Sequence, residues 1–234
     1  KEHGYRFYIP KLALPYWALK IGIDKSDKMD LCSLEAPDIE TQAKFYIKAE
    51  SYLKKYFPKN FKVPLIEESY KFDRNLYADN GKTKENHVLP DNPRSNFLYQ
   101  EFMTGPHQVR QVWVPSFDYK SSSNYWNLVS KQVLDKIPYS CNEKGHLEVL
   151  DILRKTMTEE PVKSFDLKGC GLQFPREYII ILIDIIDRMT LGHLTKEGDR
   201  AKHLLDSIKV DGYNNNSFIP KRGVGLGYFT GLMS

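Results

Sequence analysis

Apolar residues recur at helical spacing after Pro37-Asp38, where Ile39, Ala43, Tyr46, Ile47, Leu53, Tyr56 and Phe57 form one stripe and Pro58 ends it. The lysines between them (Lys44, Lys48, Lys54, Lys55) read as the solvated face of that helix. Upstream, Tyr5, Phe7, Tyr8, Tyr16 and Trp17 alternate with prolines and predict short strands or extended packing segments. From Tyr77 to Asn96 the chain is polar and punctuated by proline, with Asn80-Gly81 as a turn, which predicts a long surface loop. The texture then changes. Val109, Val112, Trp113 and Val114 favour a strand up to Pro115, and Tyr125 to Ile137 predicts a helix with Trp126, Val129, Val133 and Ile137 on one side. After Glu159-Glu160-Pro161, Val162 to Leu167 predicts a short strand, followed by a glycine turn and a long helix from Pro175 to Thr190. A further helix, Lys196 to Ile208, leads to a loop over Asp211 to Ser217 and then to a glycine cluster. Strands interleaved with helices predict an α/β (α+β) class.

Composition narrows the options. At 234 residues, 41% apolar and 27% charged, the chain has the make-up of a folded globular protein large enough to bury a core. The apolar run from Tyr178 is broken by Asp184 and Asp187 and falls short of the ~20 residues a bilayer span needs, so no membrane segment is expected. Those two aspartates, one turn apart, read as solvating the exposed edge of their helix or capping a neighbour. Cys32, Cys141 and Cys170 are too few and too scattered for a disulfide framework, which points to a reducing compartment. The six histidines and the cysteines show no zinc-ligand spacing, and there is neither a nucleophile elbow nor a P-loop, so zinc, hydrolase and ATPase chemistry find no support. A net charge of +4 permits a polyanionic partner without requiring one. The start at Lys1 and the end just after a glycine-rich stretch lead us to expect a piece of something longer.

Three segments carry candidate chemistry. Ser164-Phe165-Asp166-Leu167-Lys168-Gly169-Cys170-Gly171-Leu172-Gln173-Phe174-Pro175 places an aspartate at a predicted strand end before a glycine-bearing turn, a position where a hard divalent cation and a phosphate can both approach. Pro220-Lys221-Arg222-Gly223-Val224-Gly225-Leu226-Gly227-Tyr228-Phe229-Thr230 combines bare backbone with a hydroxyl side chain. His107 to Pro115 carries Arg110, whose guanidinium fork suits phosphate oxygens, with Lys120 a few residues on.

Taken in order, these segments resemble motifs F, A and B of viral RNA-dependent RNA polymerases of the narnavirus and levivirus kind. His107 to Pro115 resembles motif F, Ser164, Asp166, Leu167, Phe174 and Pro175 match motif A, and Arg222-Gly223 with the following glycines resembles motif B. The resemblance covers Asn96 to Ser234. It implies the fingers and an incomplete palm of a right-hand polymerase, divided as 1–95 (fingers-associated), 96–160 (fingers with motif F) and 161–234 (palm part with motifs A and B). It further implies that Asp166 is the catalytic carboxylate and binds Mg²⁺ or Mn²⁺, and that Arg110 and Lys120 meet the incoming triphosphate. Gly171, Gly223, Gly225, Gly227 and Thr230 would line the nucleotide or template. The implied partners are RNA template, nascent strand and nucleoside triphosphates, in the host cytoplasm or, as second choice, the mitochondrion.

The chain departs from the family pattern in places. Gly171 or Leu172 stands where a ribose-sensing acid is usual, and Thr230 replaces the usual Ser-Gly pair. No Asp-Asp pair occurs anywhere, so motif C is missing and two-metal chemistry cannot be completed by this chain alone. Either the chain is cut from a longer polymerase or a second polymerase chain carries motif C. A reverse transcriptase-like part and a non-catalytic viral RNA-binding or structural protein, stacking bases on Tyr5, Tyr8, Trp17, Trp113 and Trp126, are the alternatives.

Overall fold

A computed structural model describes residues 32–71, 93, 95–105, 108–137, 146–159, 170–213, 216–225 and 227–233. The predicted aromatic segments at the start, nearly all of the predicted 77–96 loop, and the predicted 162–167 strand with Asp166 lie outside the described residues.

The first helix, α1 (Ile39–Tyr56), starts where Asp38 Oδ1 accepts the Thr41 N–H at 2.6 Å, a side-chain cap that holds the Asp38 carboxyl below its ordinary range. It ends as expected before Pro58. Its four lysines are exposed, but so are Ile39 and Ile47, and only Leu53 of its stripe is fully buried. α1 lies on α6 (Arg176–Met189), where Phe45 stacks on Tyr178 at 4.3 Å and Arg188 sits over the Tyr46 ring. A short helix, α2 (Ile66–Lys71), follows and packs on α3 (Phe117–Leu134).

Four strands form one mixed sheet in the order β2-β1-β3-β4. β1 (Asn96–Gly105) and β2 (Gln108–Pro115) are an antiparallel hairpin, with Phe97 opposite Pro115 and Tyr99 opposite Trp113. β3 (Lys209–Tyr213) runs parallel to β1, pairing Phe97 with Val210, and β4 (Asn216–Phe218) folds back antiparallel on β3. The period-2 alternation of strands puts Phe97, Trp113 and Val210 in the core and leaves Leu98 and Val114 exposed on the other face.

Two expectations change here. The predicted 211–217 loop is largely the β3–β4 hairpin, with Tyr213 opposite Asn216. Its polar residues lie at a sheet edge where solvent can reach them, so the hydrophobic pattern carries little strand signal. The helix expected from Tyr125 is α3 (Phe117–Leu134), which begins eight residues sooner, directly after β2. Ser121, Ser122 and Ser123 are weak helix formers, but all three are buried, and small side chains let neighbouring backbone come close.

Helix α4 (His146–Glu159) precedes a single helical turn, α5 (Cys170–Gln173), at the place where a glycine turn is expected. α6 then supplies Ile179, Ile183, Ile185 and Ile186 to the core, and α7 (Thr195–Asp206) supplies Ala201, Leu204 and Leu205. Trp126 of α3 is fully buried and donates its indole N–H to the Glu197 carbonyl. A last short helix, α8 (Thr230–Met233), packs mainly on α3. No helix among the described residues is long and apolar enough to cross a membrane.

Candidate functional site: the glycine loop and its cradle

Residues 220–225 and 227–229 make contacts with the hairpin, α3 and the α5 turn. The backbone of the loop is left-handed at Gly223 (φ 89), Gly225 (φ 83), Gly227 (φ 84) and, unusually for a bulky residue, Phe229 (φ 52). Gly223 is irreplaceable on two counts: its φ disfavours any side chain, and a Cβ would stand 2.4 Å from the Leu172 carbonyl oxygen. This close approach lets the loop hydrogen-bond the α5 turn. Gly223 N–H donates to Phe174 O at 3.1 Å, and Val224 and Gly225 N–H both donate to Gly171 O at 2.9 Å.

Aromatic rings fill the space beneath. Phe97 from β1 meets Tyr119 from α3 edge-on at 4.6 Å, and both meet Tyr228 of the loop, at 6.3 Å and 5.8 Å. The Tyr119 hydroxyl donates to Val224 O at 3.0 Å, and complete burial raises its pKa well above the ordinary 10, so it remains a donor. Arg176, at the start of α6, is buried and donates to Leu205 O at 2.8 Å and to Pro220 O, so one guanidinium ties the end of α7 to the entry of the loop. Burial lowers its pKa, but an arginine guanidinium keeps its charge. On the outer side, Cys32 O accepts from Lys221 N–H and Arg222 N–H, Lys221 pairs with Glu35, and Arg222 Nε donates to Glu35 O at 2.6 Å.

The structure brings several of the expected site residues together. Gly171 is buried in α5, with its carbonyl turned to the loop, and Gly223 and Gly225 are buried against it. Gly227 and Thr230 are exposed, Thr230 as the first residue of α8. Lys120, half-buried, follows Tyr119 on α3. Arg110 pairs with Phe102 in the β1–β2 ladder, three positions from Trp113, and its side chain lies outside what is described. Asp166 lies outside the described residues, four positions before Cys170 opens α5. Sequence reasoning missed Tyr119, Ser123, Asn127 and Arg176. For the first three the only signal is polar residues at four-residue spacing on α3; Arg176 stands alone at the start of α6.

Among the described residues no group of three or more His, Cys, Asp or Glu side chains could hold a metal ion. The two helix aspartates are engaged otherwise: Asp184 pairs with Lys202 at 3.0 Å, and Asp187 accepts from Leu194 N–H and the Thr195 hydroxyl. An apolar cavity of about 1140 Å³ between α1, α6 and α8, lined by Tyr52, Tyr178, Leu182 and Met233 among others, carries one charged side chain, Lys48, and no carboxylate, so it offers no acid–base pair. No family model, curated protein or solved structure matches this chain.

Proposed function

We propose that the chain is part of an RNA-directed RNA polymerase, contributing the segments that hold nucleotide and template and one of the metal-binding carboxylates. The observation that carries this reading is convergence. The segment resembling motif B touches parts of the other two: Gly225 N–H bonds Gly171 O in the segment resembling motif A, and a Cβ on Gly225 would lie 3.3 Å from the Phe97 ring, which meets Trp113 of the strand resembling motif F edge-on at 6.0 Å. Bare loop backbone, an arginine-bearing strand and a carboxylate-bearing segment are the parts that nucleotidyl transfer needs.

In this reading a primer or initiating 3′-hydroxyl attacks the α-phosphate and pyrophosphate leaves. Arg110 and Lys120 neutralise the triphosphate, and Gly227 and Thr230 face ribose or template. Asp166 is the metal-binding carboxylate of this chain. The sequence holds no Asp-Asp pair, so in this reading the paired carboxylates come from a longer polymerase or from a second polypeptide.

The test is templated nucleotide incorporation by this chain together with the polypeptide that supplies the paired carboxylates. Asp166→Asn should abolish incorporation, by at least about a thousandfold for a charge acting at the reacting centre, while leaving RNA affinity unchanged. Full incorporation by that variant would show that Asp166 is no metal ligand and favour a non-catalytic RNA-binding protein.

A further inference from the structure

The loop is held from one side by a single stripe of α3. Tyr119, Ser123 and Asn127 stand at i, i+4 and i+8, and each makes one hydrogen bond to the backbone of the loop or of the α8 turn that continues it. Tyr119 donates to Val224 O at 3.0 Å, Ser123 Oγ accepts from Phe229 N–H at 2.7 Å, and Asn127 Oδ1 accepts from Gly231 N–H at 3.0 Å. The partners advance along the loop in the same direction as the residues advance along the helix, so the helix rise sets the loop's span. Side chains, not a sheet ladder or the loop's own turns, satisfy these backbone groups.

The middle contact falls at the most strained point. Phe229 is fully buried and left-handed, a conformation that costs a side-chain-bearing residue about 1–2 kcal/mol. Such strain persists only where the surroundings over-determine it. Ser123 supplies the hydrogen bond and Tyr119 the ring contact at 5.5 Å that do so. The result divides the loop. Gly223 and Gly225 are buried against α5 and the hairpin, whereas Gly227 has nothing within 4 Å of where a Cβ would be, and Thr230 is exposed beside it.

We infer that Tyr119, Ser123 and Asn127 act together as positioning residues, fixing the loop on α3 so that Gly227 and Thr230 form its ligand-facing edge, with Gly223 and Gly225 serving packing alone. The choice of nucleotide as the ligand of that edge rests on the polymerase reading; the holding of the loop by α3 does not.

Amide hydrogen exchange on the full chain separates the two. Asn127→Ala should speed exchange at Gly231 and Phe229 about five- to tenfold, as the loss of one hydrogen bond allows, while Asn127→Asp, which keeps the acceptor, restores protection. Ser123→Ala should do the same at Phe229, and amides of α6 and α7 should not change in any of the three. Affinity for UTP with Mn²⁺, measured in parallel, should fall in Asn127→Ala and Thr230→Val and recover in Asn127→Asp. Unchanged loop exchange in Asn127→Ala, an Asn127→Asp variant as loose as the alanine, or equal loosening of α6 and α7 would overturn the inference. If the exchange pattern holds but the unaltered chain binds no nucleotide, the α3 tethers stand and the polymerase reading falls.

Discussion

The α6–α7 turn and the glycine loop both run through left-handed backbone, and they are held in opposite ways. In the turn, Leu191 (φ 57) and Gly192 (φ 80) reverse the chain, and the hydrogen bonds that close it are local: Gly192 N–H donates to Asp187 O, and the Asp187 carboxylate caps Leu194 and Thr195. In the glycine loop and the α8 turn that continues it, Val224, Phe229 and Gly231 are bonded by residues more than a hundred positions away, and the turn the loop rests on is about fifty positions away. The strained residues differ as well. Leu191 is 88% exposed and Phe229 is fully buried. A turn closed by its own residues can form before the rest of the chain is in place, whereas the loop takes its shape only once the hairpin, α3 and α5 have assembled. A binding edge built in the second way is set by the whole fold, as a preorganised site requires.

Substitutions can break this contrast. The largest expected effect is that of Gly223→Ala, which combines an unfavourable φ with a 2.4 Å approach to Leu172 O. It should cost about 2–4 kcal/mol, a fall in Tm of roughly 4–16 °C for a chain of this length, readable by calorimetry. Gly227→Ala shares the φ but meets no atom, so it should cost only about 1–2 kcal/mol; equal losses for the two glycines would show that packing on α5 is not what distinguishes them. Asp187→Ala removes two caps from the local turn and should cost about 1–2 kcal/mol, with loop exchange at Gly225 and Phe229 unaffected. The smallest change is Leu191→Gly. Relief of left-handed strain, less the greater freedom of glycine in the unfolded chain, should stabilise by about 0.5 kcal/mol. A clear loss of stability there would mean that the exposed leucine makes contacts of its own.

The same contrast explains which features were legible in the sequence. α1, α6 and α7 announce themselves by apolar spacing and by capping or breaking residues, and their ends fall within a few positions of expectation. Asp184 and Asp187 behave as a half-buried ion pair and a cap, close to the edge-solvating or capping roles that their one-turn spacing on an apolar helix suggested. By contrast, the start of α3 is hidden because its serines carry no apolar period, although they are buried where the loop and α2 approach. The parallel pairing of β1 with β3 links residues more than a hundred positions apart, and no local pattern encodes it. Of the candidate site, the glycines and Thr230 could be picked out by residue type, but their division into packing and exposed positions depends on the α5 turn. The cradle residues Tyr119, Ser123, Asn127 and Arg176 look like ordinary helix residues until the loop lies on them.

The central claim is that the hairpin, the segment leading into α5 and the glycine loop form one nucleotide site, and photocrosslinking tests it most directly. With 4-thio-UTP and Mn²⁺ on the intact chain, the account predicts adducts within residues 227–230 and near Arg110, suppressed by excess UTP and weakened in Asn127→Ala. Adducts confined to α1 or the apolar cavity beside it, or none that UTP competes away, would contradict it.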